Sequence, residues 1–104
     1  MEVRNTNDSE FESLLKDNKK VIVKFYAGWC GSCRLIASKY KTLADSEEYK
    51  DVFFVEVDAE HNPAVRSLAQ VNNLPYFASF KDGVFKEGFP SSKIEAVEEM
   101  IKTL

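Results

Sequence analysis

Two cysteines supply the only thiols of this 104-residue chain, and they stand three apart in Trp29-Cys30-Gly31-Ser32-Cys33. The segment falls where a strand-like run, Val21-Ile22-Val23-Lys24-Phe25-Tyr26, gives way to an amphipathic stretch from Cys33 to Ala44. A thiol at a helix N-terminus faces unpaired backbone N–H groups and the positive end of the helix dipole. Both favour the thiolate, the nucleophilic form. A second thiol three residues on lies almost one turn along, close enough to attack a mixed disulfide formed by the first. The pair reads as a dithiol that exchanges electrons with the disulfides of other proteins.

Other uses of two cysteines fit less well. A tetrahedral zinc site wants about four ligands, and the chain has no second cysteine pair and one histidine, His61. A soft-metal carrier could use two thiolates alone, but an indole beside the first of them has no evident role there. A static disulfide closing so short a loop restricts the unfolded chain little. A CxxC beside a strand–helix–strand pattern is itself a redox signature. No metal site is expected.

Length and composition bound the rest. One domain spanning residues 1–104 is expected, with 44% hydrophobic residues and eight Phe to fill a core. The net charge of −3 gives no reason to expect nucleic acid or an anionic membrane as partner. No apolar run approaches the roughly 20 residues of a membrane helix. Met1-Glu2-Val3-Arg4-Asn5 has no signal-like apolar core, so the expected compartment is the cytoplasm. No glycine-rich phosphate loop occurs, so the dithiol itself, and no bound cofactor, is expected to carry the electrons.

Periodicity orders the elements that must position the thiols. Glu2 to Asn5 is expected as a short edge strand. Ser9 with Glu12 fits a capping box before a helix whose face is Phe11, Leu14 and Leu15. After the Val21–Tyr26 strand comes a helix with the inner stripe Ile36, Tyr40, Leu43 and Ala44. Val52 to Asp58 reads as a strand, and Asn62-Pro63 as a cap and first position of a helix continuing through Ala64, Val65, Leu68 and Ala69. Tyr76–Lys81 and Val84–Gly88 flank Asp82-Gly83, a strong hairpin turn. Ser92 with Glu95 is expected to cap a last helix bearing Ile94, Val97, Ile101 and Leu104. The order implies α/β architecture with a mixed sheet.

These residues resemble the thioredoxin family along nearly the whole chain. The resemblance is carried by Phe25-Tyr26-Ala27-Gly28-Trp29-Cys30-Gly31-Ser32-Cys33, Val55-Glu56-Val57-Asp58, Leu74-Pro75 and Phe80-Lys81-Asp82-Gly83. It implies a thioredoxin fold, a central mixed sheet of about five strands flanked by four helices. Cys30 would be the attacking nucleophile and Cys33 the resolving thiol. Pro75 would be a cis-proline beside the dithiol, with Leu74 offering backbone hydrogen bonds to an extended substrate segment. Trp29, Gly31 and Gly88 would line an apolar docking surface. The function implied is reduction of protein disulfides by a monomer, with disulfide-containing proteins as substrates and a thioredoxin reductase to reset the pair. A disulfide oxidase or isomerase domain, and a docking subunit with idle thiols, are the alternatives.

The chain departs from the family pattern in several places. Ser32 stands where proline is usual, adding a backbone N–H to the active-site turn. Ser38 replaces a proline that kinks this helix in many members, so a straighter helix is expected. Tyr76 follows Pro75 where threonine is commoner, which would place a ring near the groove. The hairpin looks a few residues short, which would move Gly88. Lys24 stands where a buried Asp beneath the resolving cysteine is common, and members with that Asp often carry lysine at the position of Glu56. Strand alternation puts Lys24 and Glu56 on the same face of neighbouring strands, so the pair is expected with its charges exchanged, Glu56 handling protons. A Lys24 whose stem packs inward while its ammonium reaches water is the other reading.

Overall fold

The computed structural model describes residues 3–104. Short β1 (Arg4–Asn5) leads through Asn7 to α1 (Asp8–Asp17), then β2 (Lys20–Tyr26) and α2 (Gly31–Ala44). A 3₁₀ turn at Glu47–Tyr49 precedes β3 (Phe53–Asp58), which α3 (Pro63–Leu68) follows; β4 (Tyr76–Lys81), β5 (Val84–Pro90) and α4 (Ile94–Lys102) complete the chain. The five strands lie in the order β1-β3-β2-β4-β5. β3 runs parallel to β1 and β2, whereas β4 is antiparallel to β2 and to β5. This is the mixed five-stranded sheet with four helices that the resemblance implies.

Alternation along β2 divides the core. Val21, Val23 and Phe25 point to the face covered by α1 and α3, where they meet Phe11, Leu15, Val65 and Ala69. Ile22 points to the other face, against Ile36, Tyr40, Val97 and Ile101 of α2 and α4. Both faces of the central strand are therefore buried, and of its two lysines Lys24 is buried with them, whereas Lys20 at the strand's start is partly exposed. Burying an ammonium is costly without a partner, and that cost marks Lys24 as a position to explain.

Several local expectations shift. The edge strand is only Arg4–Asn5, and Glu2 lies outside the described residues. The N-cap of α1 is Asn7, two residues earlier than Ser9, and the expected Ser9–Glu12 box does not form at the helix start. Asn7 accepts a hydrogen bond from the Glu10 amide, and its own side-chain amide donates to the Glu10 carboxylate. Asn is as good an N-cap as Ser, and starting there gains about half a turn. At the last helix, Lys93 rather than Ser92 is the N-cap, with no side-chain cap bond, while the Ser91 hydroxyl accepts from the Lys93 amide. The third strand begins at Phe53 rather than Val52, and β5 extends past Gly88 to Pro90. The helix after the dithiol starts at Gly31, not Cys33, and runs without a break through Ser38.

Asn62 does not cap α3 with its side chain. Its carboxamide instead accepts from the Asp8 amide and donates to the Asp58 carbonyl. The α3 amides of Ala64 and Val65 are taken by the Asp8 carboxylate at 3.1 and 2.9 Å, so the first residue of α1 caps α3 across the fold.

Candidate active site

β2 ends at Tyr26, and a turn through Gly28 and Trp29 brings Cys30 to the N-cap of α2. The turn closes with the Cys30 amide donating to the Ala27 carbonyl. Cys30 and Cys33 are joined by a disulfide, with Cα atoms 5.3 Å apart. Cys30 Sγ accepts from the Cys33 amide at 3.2 Å, and the Ser32 hydroxyl lies 3.9 Å from the same sulfur. Both cysteines are buried, Cys30 at 5% and Cys33 at 3% exposed, so accessibility does not tell the two sulfurs apart. Their electrostatic settings do. Cys30 takes the helix-terminal amide, whereas Cys33 lies one turn in.

Two depressions flank the disulfide. One, about 280 Å³, lies beside Ser32 and is lined by Leu74, Pro75, Pro90 and Ser91. The Leu74–Pro75 peptide bond is cis. Leu74 also packs on the cluster of Ala27, Cys30 and Cys33. Its amide is held by the Asn73 side chain at 2.9 Å, and the Pro75 carbonyl accepts from the Ser91 amide. Pro90 and Ser91 join the groove only because the end of β5 returns to this loop, and no local sequence signal announced them. Trp29 stands 69% exposed on the same end of the molecule, and Gly31 opens α2 at a position where a side chain would meet open space.

The second depression, also about 280 Å³, lies on the other side of α2 and brings Cys33 together with Lys24, Glu56 and Ala37. Lys24 and Glu56 are in register on β2 and β3, with Nζ 3.3 Å from Oε2. The ammonium also faces the rings of Tyr40 at 5.6 Å and Tyr26 at 5.8 Å. Tyr40 spans the strands, its hydroxyl within hydrogen-bond distance of the Ile22 and Val55 carbonyls. Burial pushes the Tyr40 hydroxyl pKa well up, and the Glu56 charge adds to this, so it remains a donor. The Lys24 ammonium therefore does not reach out to solvent on its stem.

Two expected residues sit elsewhere. Tyr76 turns away from the groove into the α1/α3 core, against Phe25, with its hydroxyl on the Ala69 carbonyl at 2.8 Å. Its β-strand parity decides this, because Tyr76 shares a face with Ala78 and Phe80. Gly88 pairs with Ala78 in β5 and does not line the groove beside Ser32. Among the described residues no cluster of three or more metal-binding side chains occurs, and no helix is long and apolar enough to cross a membrane.

A thioredoxin family model matches residues 2–103. The chain is 34% identical over 99 residues to thioredoxin-3, mitochondrial, of Saccharomyces cerevisiae, spanning 95% of this chain and 76% of that one. It is 35% identical over 100 residues to the thioredoxin of Gallus gallus, spanning 94% of this chain and 93% of the other. The crystal structure of oxidised mitochondrial thioredoxin 3 from Saccharomyces cerevisiae superposes with a TM-score of 0.88 at 32% identity, covering 98% of this chain and 95% of that one.

Proposed function

The chain belongs to the thioredoxin family and is a protein-disulfide reductase working through its Cys30–Cys33 pair, and from that premise we propose the roles of its residues. Cys30 is the attacking thiolate. It strikes one sulfur of a substrate disulfide, forms a mixed disulfide, and expels the other substrate sulfur as a thiolate that takes up a proton. Cys33 then gives up its proton and attacks Cys30 Sγ. The mixed disulfide breaks, the second substrate thiol leaves, and the Cys30–Cys33 disulfide is formed. Two electrons have passed to the substrate, and a reductase returns them.

The position of Cys30 at the N-cap of α2, its sulfur on the Cys33 amide, carries this assignment. A thiolate there is favoured by the same amide and by the helix dipole. The test is trapping. Cys33→Ser should accumulate mixed disulfides with substrate proteins, and Cys30→Ser should form none. Trapping by Cys30→Ser instead would reverse the roles.

Substrate is proposed to lie along Leu74 and Pro75, with Trp29 and Gly31 contributing to the docking surface. An extended segment binding there would take the Leu74 amide from Asn73. Lys24 and Glu56 are proposed to handle the Cys33 proton. The crevice they share with Cys33, together with the partial exposure of Glu56, supports a route from thiol to carboxylate to water. Action as a monomer in the cytoplasm, with a thioredoxin reductase as electron donor, completes the reading. Because one relative is mitochondrial by name, subcellular fractionation of the full-length product decides the compartment.

The alternative, a disulfide oxidase or isomerase, is favoured by Phe25-Tyr26-Ala27 before the dithiol and by Ser32 in place of proline. A redox titration against glutathione separates the two. A potential near that of reductants supports the reading here, and one near the oxidant range replaces it.

A further inference from the structure

The segment carrying Leu74 and Pro75 leaves α3 after Ala69 and enters β4 at Tyr76, so residues 70–75 form a six-residue loop between those two points. Tyr76 and Ala69 are also the two ends of one buried hydrogen bond, from the tyrosine hydroxyl to the alanine carbonyl. That bond closes the loop at its base. The carbonyl it takes belongs to the C-terminal turn of α3, where acceptors have no helical partner. The loop departs from there through Gln70, whose φ of 59° turns the chain sharply. Its far end is tied separately, by the Ser91 amide on the Pro75 carbonyl.

The tyrosine ring needs room to reach Ala69, and one residue supplies it. Gly88 is opposite Ala78 on β5, hence diagonal to Tyr76 on the same face of the sheet. A Cβ at Gly88 would lie 2.5 Å from Tyr76 Oη, 2.8 Å from Cε1 and 2.9 Å from Cζ. Those distances are impossible for real contacts, and neither atom set belongs to a flexible chain end. The ring is packed edge-on against Phe25 at 5.9 Å, and its hydroxyl is held. Gly88 has an ordinary strand conformation, so it is the contact with the ring, and not backbone freedom, that requires glycine.

We propose that Tyr76 and Gly88 form an interlock that positions the Leu74–Pro75 loop for substrate, Tyr76 acting as the positioning residue and Gly88 as its seat. The interlock rests on the reading that this loop binds substrate, and it assigns to Gly88 a task inside the sheet in addition to any at the surface. A small residue at 76 would leave the loop base open, and any side chain at 88 would expel the ring. Burial raises the Tyr76 hydroxyl pKa, so the clamp stays a donor across physiological pH.

Tyr76→Phe removes the hydroxyl and keeps the ring. Amide hydrogen exchange in residues 70–74 should quicken about fivefold or more, and KM for insulin disulfides should rise roughly fivefold with kcat within about twofold, as expected for one lost buried hydrogen bond. Alkylation of Cys30 should be unaffected. Gly88→Ala should lower kcat/KM about tenfold with Tyr76 present, and less than about twofold in the Tyr76→Thr background, because contacting residues couple. If Gly88→Ala does not fold alone, folding of the double variant still supports the interlock. Unchanged exchange in Tyr76→Phe, or equal losses from Gly88→Ala in both backgrounds, overturns it. Quickened exchange with an unchanged KM confirms the clamp but overturns the placing of substrate on this loop, and the positioning role with it.

Discussion

Lys24 and Glu56 face each other in register on the parallel strands β2 and β3, their charged atoms 3.3 Å apart at the side of α2 where Cys33 lies. Their burial is unequal. The Lys24 side chain is 5% exposed and that of Glu56 31%, so the cation is the sealed partner and the carboxylate the one in touch with water. A partly exposed carboxylate is in reach of solvent, and the Lys24 ammonium 3.3 Å away holds it in place. The unequal burial suits the proposed charge order, with the carboxylate on the wet side.

Glu56→Gln should slow resolution of the mixed disulfide roughly tenfold or more near neutral pH while leaving the first attack by Cys30 nearly unchanged. Stopped-flow measurement of both steps checks this. If the variant resolves as fast as the parent, the pair is structural only.

Lys24→Asp should destabilise the protein by about 3 kcal/mol, because it sets a second carboxylate beside Glu56 among the rings of Tyr26 and Tyr40. Lys24→Met should cost less, since it keeps the stem and removes the buried charge. Urea unfolding of the two variants gives the order directly.

Cys30 should be alkylated by iodoacetamide faster than Cys33 in the reduced protein at neutral pH, as the helix-terminal amide favours its thiolate. Ser32→Ala should slow this about two- to threefold by removing a hydroxyl 3.9 Å from Cys30 Sγ while keeping the backbone amide. Peptide mass spectrometry reports both sites. Equal rates at the two cysteines would remove the nucleophile assignment.

Asp8→Ala should cost about 1–2 kcal/mol although Asp8 lies far from the dithiol in sequence, because α3 loses the carboxylate that takes the Ala64 and Val65 amides. Asp8→Asn should recover part of the loss. Denaturant midpoints at constant slope are the readout.

His61 should titrate above the usual histidine value of 6.5, because the Asp58 carboxylate accepts its hydrogen bond at 2.9 Å and favours the imidazolium. A raised folded pKa means that the stabilisation is complete below 6.5 and is lost as pH rises through the folded value. Asp58 shows the opposite sign. Burial alone would raise its pKa, but the hydrogen bonds from His61 and the Glu60 amide outweigh this and lower it, so its contribution is lost only in acid. NMR titration of the imidazole checks the pair, and Asp58→Asn should return the midpoint toward 6.5.

The sequence by itself determined the chemistry and the element order. Two thiols at a strand-to-helix junction are a local arrangement, and local spacing is enough to state what they can do. The alternation of β2 also placed Lys24 and Glu56 on one face of adjacent strands, and the period of two needs no tertiary information beyond which strands are neighbours. Cap positions were less legible, since Asn7 and Ser9 both qualify as N-caps and packing of Phe11 and Leu15 on the sheet chooses the start. Tertiary structure alone decided the rest. Asp8 caps a helix more than 50 residues away, Pro90 and Ser91 complete a groove begun at Ser32, and Tyr76 fills the space that Gly88 leaves open. These contacts depend on where separate elements come to rest against one another, and no periodicity within either element encodes the distance between them.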